Sequence, residues 1–382
     1  MRIGILTLPQ ETNYGGILQA FALQKVLRDM GHEALTIDRH QRRQYDSFSK
    51  HIGGYLKRLY HHYVFKKNVS PRWNPFLTEN EYRTISQNTQ RFIDANIAMT
   101  RRAFSDQLFE IDKEYSFDAY VVGSDQVWLD YYCPNSFLDF VKRDNVIKIV
   151  YAASCGRQSF FSNDSKLALC KELAKTFVGI SVREQSLVDL CKESLGVDAK
   201  WVLDPTMLLR QEEYIVRIGQ PLDQESPILF SYILDESNSK DAILSSIAKA
   251  KNLEVVHGGT TKKYIKGITK SINDCVYPSV EDWLFKIASS SFVVTDSFHG
   301  TVFSILFNKP FITICNNHRG SNRFFSLLSL FGLESRLIKE SDSVNIEKII
   351  GESIDYTKVN TILEGERKKS MTFLTKCLNG TR

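Results

Sequence analysis

One stretch of the chain, residues 291–310, joins an apolar run to a small polar cluster that carries a histidine. The run at 292–294 has the composition of a buried strand. From Gly300 onward, apolar side chains recur at the spacing of a helix that packs against a sheet. The stretch therefore predicts a strand that passes directly into a helix, with His299 at the junction.

This placement would put His299 at the N-terminus of the predicted helix. The first N–H groups of a helix have no partner within it, and the helix dipole is positive at this end, so phosphate and carboxylate groups bind there. A histidine side chain adds a proton donor or acceptor near neutral pH. We therefore expect chemistry on an anionic group at this junction.

The N-terminal part of the chain begins with a strand–helix–strand unit. Residues 2–6 and 34–38 are predicted strands, and residues 15–30 form an amphipathic helix that ends at Gly31. Further strands are predicted at 119–122, 147–152, 178–182 and 200–203. This alternation is typical of a doubly wound parallel sheet.

A second series of strands and helices begins after Asp204-Pro205 and a polar stretch. Strands are predicted at 228–233, 253–257, 292–295 and 311–314, and helices at 240–251, 280–289 and 300–307. The two series predict an α/β protein with two Rossmann-like domains facing a central cleft, where ligands commonly bind. We place the N-terminal domain at 1–204, the C-terminal domain at 205–345 and a C-terminal helix, free to pack back on the molecule, at 346–382.

Residues 41–100 depart from this alternation and predict an inserted helical segment with a basic, aromatic-rich face. Its cations include Arg42, Arg43, Lys50, Lys57, Arg58, Lys66 and Lys67. One interpretation is a solvated helix that covers the sheet. The other is a contact with an anionic membrane surface that presents a lipid-linked substrate.

Composition excludes several classes of protein. No apolar run approaches the roughly 18 residues of a membrane-spanning helix, and no signal peptide opens the chain, so a cytoplasmic protein is expected. The net charge of +5 does not indicate a nucleic-acid partner. The seven cysteines are dispersed without a Cys-x-x-Cys pair, which argues against a disulfide framework or a zinc site and favours buried apolar roles.

Paired glycines follow the first predicted strand, within the segment from Asn13 to Gln19. Gly15 and Gly16 permit close approach of the backbone to a ligand at a helix N-terminus. Their spacing is not the fingerprint of dinucleotide binding, which argues against NAD. Two interpretations stay open: a ligand-binding turn, or a purely structural turn with Gln19 facing solvent.

The strand at 119–122 also ends in a glycine and small polar groups. Asp125 and Gln126 are suited to hold sugar hydroxyls, and Trp128 is suited to stack on a pyranose ring. In the structural alternative, Asp125 caps a helix and Trp128 belongs to the core.

Cationic residues follow two other predicted strands. Arg183 lies at the end of the strand at 178–182, where its guanidinium can bind a carboxylate or phosphate unless Glu184 neutralises it. Arg319 and Arg323 follow the strand at 311–314. Polar clusters after successive strands of one sheet converge at the same edge, which favours a functional role for His299.

In their order along the chain, these motifs resemble the polysaccharide pyruvyl transferase family. The matching segments are 4–7, 13–23, 122–128, 151–154, 181–184, 203–205 and 295–301, and the resemblance spans residues 1 to about 335. It implies a GT-B-like fold and a reaction in which phosphoenolpyruvate supplies a pyruvyl group to two hydroxyls of a sugar. A cyclic ketal forms and phosphate leaves.

The resemblance also implies that His299 and Arg183 engage phosphoenolpyruvate. Some family members carry Arg-Leu-His where this chain has Ser297-Phe298-His299, so one cation of the family pattern is missing here. We expect Arg323 or Arg319 to replace it. Our hypothesis assigns proton transfer or phosphate departure to His299 as the catalytic residue, and the anionic groups of the donor to the cations.

The predicted site therefore has a donor side and an acceptor side. The phosphoenolpyruvate-binding residues are Arg183, His299, Ser297, Arg323 and Arg319, and the acceptor-binding residues are Asn13, Tyr14, Gln19, Asp125, Gln126 and Trp128. No ligand cluster implies a catalytic metal, and no cofactor is expected besides the donor substrate. The expected acceptor is a hexose of a surface polysaccharide, either free or lipid-linked.

Two alternatives share the same fold class. A glycosyltransferase that uses a nucleotide-sugar would also place its site between two α/β domains. A non-catalytic polysaccharide-binding protein is the second alternative. Binding of phosphoenolpyruvate, of a nucleoside diphosphate, or of neither discriminates among the three.

Overall fold

The computed structural model describes residues 1–40, 55–57, 59–61, 63–65, 77–156, 160, 163–222, 226–260, 262–264, 271–316, 320–340 and 346–380. Within these residues the chain forms two larger parallel sheets and one short strand pair. The first sheet uses strands up to residue 201, and the second uses strands from residue 226 onward. The predicted α/β architecture with two Rossmann-like, GT-B-like halves is confirmed.

The N-terminal sheet has the order β2-β1-β5-β6-β7-β8 among the described strands. These strands are β1 (Arg2–Leu6), β2 (Glu33–Thr36), β5 (Ala119–Val122), β6 (Ile147–Ala153), β7 (Gly179–Val182) and β8 (Lys200–Trp201). The short pair consists of β3 (Arg39–His40) and β4 (Ala103–Phe104). Every residue of β5 is buried, as expected for a parallel strand covered on both faces.

The C-terminal sheet has the order β10-β9-β11-β12-β13 among the described strands. The strands are β9 (Ser226–Tyr232), β10 (Glu254–His257), β11 (Ser290–Thr295), β12 (Phe311–Ile314) and β13 (Leu337–Ile338). Neighbouring pairs are parallel, so the polar segments that follow β9, β11 and β12 meet at one edge of this sheet.

The helices that cover the two sheets follow in chain order. They are α1 (Tyr14–Asp29), α2 (Glu79–Asn96), α3 (Leu108–Tyr115), α4 (Asp164–Ala174), α5 (Gln185–Leu190), α6 (Gln211–Ile218), α7 (Asn238–Lys251), α8 (Val280–Ser289), α9 (Phe298–Leu306), α10 (Asn322–Phe331), α11 (Ile346–Gly351) and α12 (Tyr356–Leu378). Helix α1 is buried along most of its length because it lies between the halves. Apolar residues of α1 and α9 belong to one continuous hydrophobic cluster.

The long C-terminal helix α12 returns to the N-terminal half. The Ser370 hydroxyl accepts a hydrogen bond from the Leu203 backbone N–H at 3.0 Å. Arg367 donates to the backbone carbonyls of Met207 at 2.9 Å and Leu209 at 3.0 Å. Helix α12 therefore anchors the segment that joins the two sheets.

Much of the predicted basic insertion at 41–100 lies outside the described residues, including Arg42, Arg43, Lys50, Arg58, Lys66 and Lys67. The described part includes helical turns between 55 and 63 and helix α2, which begins with a capping box formed by Thr78 and Glu81. In the described part of the chain, no helix is both long enough and apolar enough to cross a membrane. All seven cysteines lie in the described residues and are buried, as predicted.

Candidate active site

The predicted strand-to-helix junction is confirmed. Strand β11 ends at Thr295, and helix α9 begins at Phe298 with Ser297 as its N-cap. The Ser297 hydroxyl accepts a hydrogen bond from the Gly300 N–H at 3.5 Å, which satisfies one of the free donors of the first turn. His299 therefore lies in the first turn of α9, where the structure buries it.

A buried polar network holds this edge of the C-terminal sheet. The Asp296 carboxylate accepts hydrogen bonds from the Leu234 N–H at 2.6 Å, the Lys240 ammonium at 2.8 Å and the Asn316 amide at 3.1 Å. These partners follow β9, begin α7 and follow β12. Because one carboxylate joins the three segments, it positions the junction of β11 and α9 that precedes His299.

Arg183 is held between two carboxylates on the opposite side of the site. It follows β7, donates to Asp125 at 2.9 Å and to Asp204 at 3.0 Å, and has a side chain that is 1% exposed. We had expected Glu184 as the competing partner. The structure corrects this, because both terminal nitrogens of the guanidinium are bound to the two aspartates.

Asp204 joins residues of both halves. Besides Arg183, its carboxylate accepts hydrogen bonds from the Ser124 hydroxyl at 2.9 Å and from the Thr206 N–H at 3.0 Å. The Nε2 atom of His299 lies 3.5 Å from the same Asp204 oxygen that binds Arg183. A cation of the N-terminal half and the histidine of the C-terminal half therefore share one carboxylate oxygen.

Electrostatics keep both aspartates ionised. Burial alone would raise the pKa of the Asp204 carboxyl, but His299, Arg183 and the hydrogen bond from Thr206 hold that pKa far below its ordinary value. Burial likewise opposes ionisation of Asp125, and the nearby Arg183 outweighs it, so the pKa of Asp125 is lowered. Burial lowers the pKa of the Arg183 guanidinium, yet its two carboxylate partners give a net increase.

The first turn of α1 supports the histidine from the N-terminal half. A Cβ atom at Gly15 would lie 2.0 Å from the Nδ1 atom of His299. No side chain fits in that space, so the backbone of α1 approaches the imidazole directly. The glycine pair was predicted to permit a close approach, and at Gly15 the neighbour is the catalytic candidate of the other half.

Two arginines lie close to the ring of Phe298. The guanidinium carbon of Arg183 is 4.3 Å from the ring centroid, and that of Arg323 is 5.6 Å from it. Arg323 lies in the first turn of α10 and is buried. The structure thus brings Arg183, His299 and Arg323 together, whereas Arg319 lies outside the described residues.

Buried nitrogen atoms of Arg183 and His299 make no hydrogen bond within the described part of the protein, although the histidine nitrogen lies 3.5 Å from Asp204. They are Nε of Arg183 and Nε2 of His299, both buried. Nearly all buried polar groups in folded proteins are hydrogen-bonded, so donors that lack a partner at an interface between two domains indicate a place for a ligand.

Comparison with known proteins identifies the family. The family model described as polysaccharide pyruvyl transferase matches residues 13–318, which is most of the chain. The chain belongs to the polysaccharide pyruvyl transferase family. This member of the family is a transferase that acts in polysaccharide pyruvylation, and a sugar acceptor follows from that membership. No curated protein matches the chain.

Several solved structures are similar to the chain at low identity. UDP-GlcNAc 2-epimerase from Neisseria meningitidis, bound to UDP-GlcNAc, is 10% identical, with 99% of each chain covered and a TM-score of 0.49. UDP-GlcNAc 2-epimerase from Methanocaldococcus jannaschii is 12% identical, with 99% of each chain covered and a TM-score of 0.48. A spinosyn rhamnosyltransferase complexed with thymidine diphosphate is 12% identical, with 98% of this chain and 99% of that chain covered and a TM-score of 0.46.

Tyr14 does not line an acceptor site in this pyruvyl transferase family member. Its ring stacks on Trp283 at 5.4 Å, and its hydroxyl donates to the Pro278 carbonyl at 2.9 Å. The residue is fully buried between the two halves. Its aromatic body and polar tip are both used in that contact, so the prediction of sugar binding is corrected to an interdomain role.

Gln19 is also an internal residue. Its amide nitrogen donates to the Thr7 hydroxyl at 2.8 Å and to the Gly16 carbonyl at 2.8 Å, and its oxygen accepts from the Ser124 N–H at 2.8 Å. Neither sugar binding nor solvent exposure, the two roles considered above, describes it. Gln19 positions Ser124, whose hydroxyl binds Asp204.

Trp128 belongs to the core, as the structural alternative proposed. It is 0% exposed, and its ring stacks on Phe137 at 5.3 Å with an interplanar angle of 9°. Phe160 packs against it at 5.5 Å. With these contacts the indole presents no face to a pyranose, and the stacking prediction is corrected.

The remaining acceptor candidates are distributed differently. Asn13 is exposed as the N-cap of α1, and Gln126 is half-buried near Gly156. Asp125 is buried and bound to Arg183, rather than capping a helix. A role in acceptor binding for these three residues stays a prediction.

Sequence analysis assigned no role to Asp204 or Ser124, which join the site internally. Asp204 was visible as the aspartate before Pro205 at the junction of the two series of elements. A second signal was Gly123, a glycine directly after a predicted strand. The structure shows why glycine is needed there: its φ is +131°, and a Cβ would lie 2.0 Å from the Tyr151 carbonyl oxygen. Only the assembled fold shows that Asp204 and Asp125, the residue after Ser124, both bind Arg183.

We expect Asp204→Asn to lower the free energy of unfolding at pH 7 by about 3 kcal/mol, because it removes a buried charge from Arg183. Folding lowers the pKa of Asp204 below its ordinary value of 3.8. Its ionised carboxylate therefore contributes fully to stability above pH 3.8, and that contribution is lost as pH falls toward the folded-state pKa. The difference in the free energy of unfolding between Asp204→Asn and wild type should therefore be smaller at pH 3 than at pH 7. Urea unfolding at both pH values measures it.

Asp144→Asn is the control for this change, since Asp144 is exposed. It should leave the free energy of unfolding within about 0.5 kcal/mol of wild type. Equal stability of Asp204→Asn and Asp144→Asn at pH 7 would show that Asp204 does not stabilise the site.

Proposed function

We propose that this protein transfers the pyruvyl group of phosphoenolpyruvate to two hydroxyls of one sugar, forming a cyclic ketal and releasing phosphate. The observation that most supports this is the buried cluster of Arg183, His299 and Arg323, which joins both halves and in which Nε of Arg183 makes no hydrogen bond to any described residue of the protein. Phosphoenolpyruvate carries a carboxylate and a phosphate on adjacent atoms. A compact cluster of cations suits such a dianionic group.

In the proposed mechanism, His299 acts on the phosphate side of the donor. The imidazole lies 3.5 Å from the Asp204 carboxylate, and in the proposal it passes a proton to the departing phosphate. The first turn of α9 adds its N–H groups and the positive end of its dipole. Asp204 therefore orients the histidine without touching the substrate.

The proposed donor clamp combines Arg183 and Arg323 with Ser297 and Arg319. The terminal nitrogens of Arg183 already bind Asp125 and Asp204, so its free Nε is the atom available to an anion. Arg323 approaches the same Phe298 ring from the C-terminal half. With this placement, Arg323 supplies the cation that is missing at position 297.

The acceptor in this proposal is a hexose of a surface polysaccharide, such as galactose, mannose or an N-acetylhexosamine. After the corrections above, Asn13, Asp125 and Gln126 are its candidate contacts. Asn13 is exposed beside Gly15 and Gly16, and Gln126 is half-buried after β5. An amide and a carboxylate are suited to hydroxyl groups.

Isothermal calorimetry tests the donor. Wild-type protein is titrated with phosphoenolpyruvate, UDP and GDP, each alone and each with a mixture of the three acceptor sugars. Saturable binding of phosphoenolpyruvate without nucleotide binding supports the proposal. Binding of a nucleotide alone would indicate a glycosyltransferase, and binding of sugar alone a non-catalytic polysaccharide-binding protein.

We also propose a peripheral contact with an anionic membrane at its cytoplasmic face, which would bring a lipid-linked acceptor to the enzyme. The described residues between 55 and 65 expose a group of large apolar side chains. They are Leu56, Tyr60, Tyr63, Val64 and Phe65, and Tyr63 is 68% exposed. Lys57 lies in the same helical turns. Exposed aromatics beside a cation are typical of interfacial helices.

Lys57→Glu should weaken binding to vesicles that contain anionic lipid by fivefold or more, since each basic residue near the surface contributes about 1 kcal/mol. Tyr63→Ser should weaken it further and independently of salt. Vesicle co-sedimentation measures both, with the exposed Val216→Ser of α6 as the control. Unchanged binding of both variants would contradict the membrane contact and indicate that these helical turns only face solvent.

A further inference from the structure

Glu184 is a buried acid at the contact between the two halves. It directly follows Arg183 and is 4% exposed. One carboxyl oxygen binds the Ser154 hydroxyl, and the other, Oε2, has no hydrogen-bond partner. The next residue, Gln185, donates its N–H to the Ser326 hydroxyl of α10 at 3.1 Å. Glu184 therefore lies beside the helix that carries Arg323.

The groups that face Glu184 come from both halves. Arg183 and Arg323 favour its ionised form, Asp125 opposes it, and the thiol of Cys191 lies close by in the core. Burial is the largest effect, and it raises the pKa of Glu184 above its ordinary value of 4.5 despite the two arginines and the hydrogen bond from Ser154. The carboxyl thus keeps its proton closer to neutral pH than an exposed glutamate does.

The other two acids of the cluster have the opposite property. Arg183 lowers the pKa of Asp125, and His299 together with Arg183 lowers the pKa of Asp204, so each is an anion that holds the guanidinium. His299 is held at Asp204 on the phosphate side of the proposed site. Two carboxyl environments with pKa values moved in opposite directions are a recognised basis for separate acid and counter-ion roles.

We propose that Glu184 is the acid that donates a proton to the methylene carbon of bound phosphoenolpyruvate, an inference that rests on the proposed function. Its Oε2 is buried without a hydrogen bond among the described residues, Glu184 directly follows Arg183, and its neighbour Gln185 is bonded to the helix that carries Arg323. Packing alone does not explain a glutamate at this position. An apolar side chain would fill the same volume without leaving a buried oxygen that lacks a hydrogen bond.

The proton balance of this step closes without another reactant. The O–H bond of Glu184 breaks, and the electron pair of the enol double bond forms the new C–H bond of a methyl group. The first sugar hydroxyl adds to the central carbon and returns its proton to Glu184. The C–O bond to phosphate then breaks, the second hydroxyl adds, and its proton leaves with the phosphate through His299.

Glu184→Gln tests the proposal because it keeps the shape of the side chain and removes the acid. We expect phosphate release from phosphoenolpyruvate to slow by about 10²-fold or more in kcat, with the calorimetric affinity for phosphoenolpyruvate retained. The acceptors are p-nitrophenyl glycosides of galactose, mannose and N-acetylmannosamine. The exposed Glu193→Gln is the matched control and should behave as wild type.

The pH profile separates a proton donor from a structural residue. A donor must be protonated, so kcat/KM of wild type should fall as pH rises through the pKa of Glu184, and Glu184→Gln should lack this limb. Glu184→Asp keeps an acid and should retain the limb at reduced rate. A packing role would lower the rate without changing the profile.

Isotope-edited infrared spectroscopy examines the carboxyl without any acceptor. Protein with ¹³C-labelled glutamate should show a protonated-carboxyl band that persists as pH rises above 4.5, the ordinary pKa of glutamate, and that Glu184→Gln loses and Glu193→Gln keeps. Absence of the band in wild type, or wild-type turnover by Glu184→Gln, overturns the proposal. If wild type neither binds nor consumes phosphoenolpyruvate, the proposed function fails, and with it the role in transfer, while the band still decides whether Glu184 stores a proton.

Discussion

Replacement of His299 by alanine is expected to reduce the turnover of phosphoenolpyruvate by about 10²-fold or more. The side chain lies in the first turn of α9 and 3.5 Å from the Asp204 carboxylate. It therefore lies between a carboxylate and the N–H groups at the start of the helix. Alanine removes the acid that protonates the phosphate while leaving those N–H groups in place.

Phosphate release at saturating donor measures this effect, and calorimetry separates it from donor binding. We expect kcat to fall more than the affinity for phosphoenolpyruvate, because protonation of the leaving group matters most in the transition state. His257→Ala is the control, since His257 is exposed at the end of β10. Near-normal turnover of His299→Ala would assign the histidine to packing.

Gly15→Ala is expected to abolish most activity although it adds one methyl group. The new Cβ would lie 2.0 Å from Nδ1 of His299, a distance that van der Waals repulsion forbids, so the imidazole or the helix must move. A displacement of this size takes the catalytic group out of productive geometry, and misplacement by about 1 Å commonly costs on the order of 10²-fold in rate.

Gly365→Ala is a matched control for this prediction. Both glycines lie within helices, but a Cβ at Gly365 has no atom within 4 Å. Alanine there should stabilise the protein by roughly 0.5–1 kcal/mol and leave turnover unchanged. Equal activity of the two variants would contradict the contact between α1 and His299.

Local patterns were sufficient for the elements of secondary structure. The strands Arg2–Leu6, Ala119–Val122 and Phe311–Ile314 and the helix Val280–Ser289 have the predicted bounds, and the other strands and helices of the two predicted series differ by one or two residues at an end. The position of His299 at a helix N-terminus was also predicted correctly. These features depend on periodicity and capping within a few residues, which a sequence displays directly.

The partners of the site residues were predicted less well. Glu184 was expected to neutralise Arg183, yet the two aspartates at positions 125 and 204 do so. Tyr14 and Trp128 carry surfaces suited to a sugar, but the structure uses both in packing. The same aromatic residue at the same position in a sequence can stack on a pyranose or pack in a core, so the sequence does not distinguish the two roles.

The sequence by itself determined the two α/β halves, the strand-to-helix junctions and the family, because each rests on short patterns repeated in order along the chain. Only the tertiary structure decided that Asp204 joins Arg183 to His299 and that Gly15 lies against the imidazole. The contact between Gly15 and His299 joins residues that are 284 positions apart in the chain. Their energies depend on burial and distance, which arise only when the two sheets are packed together.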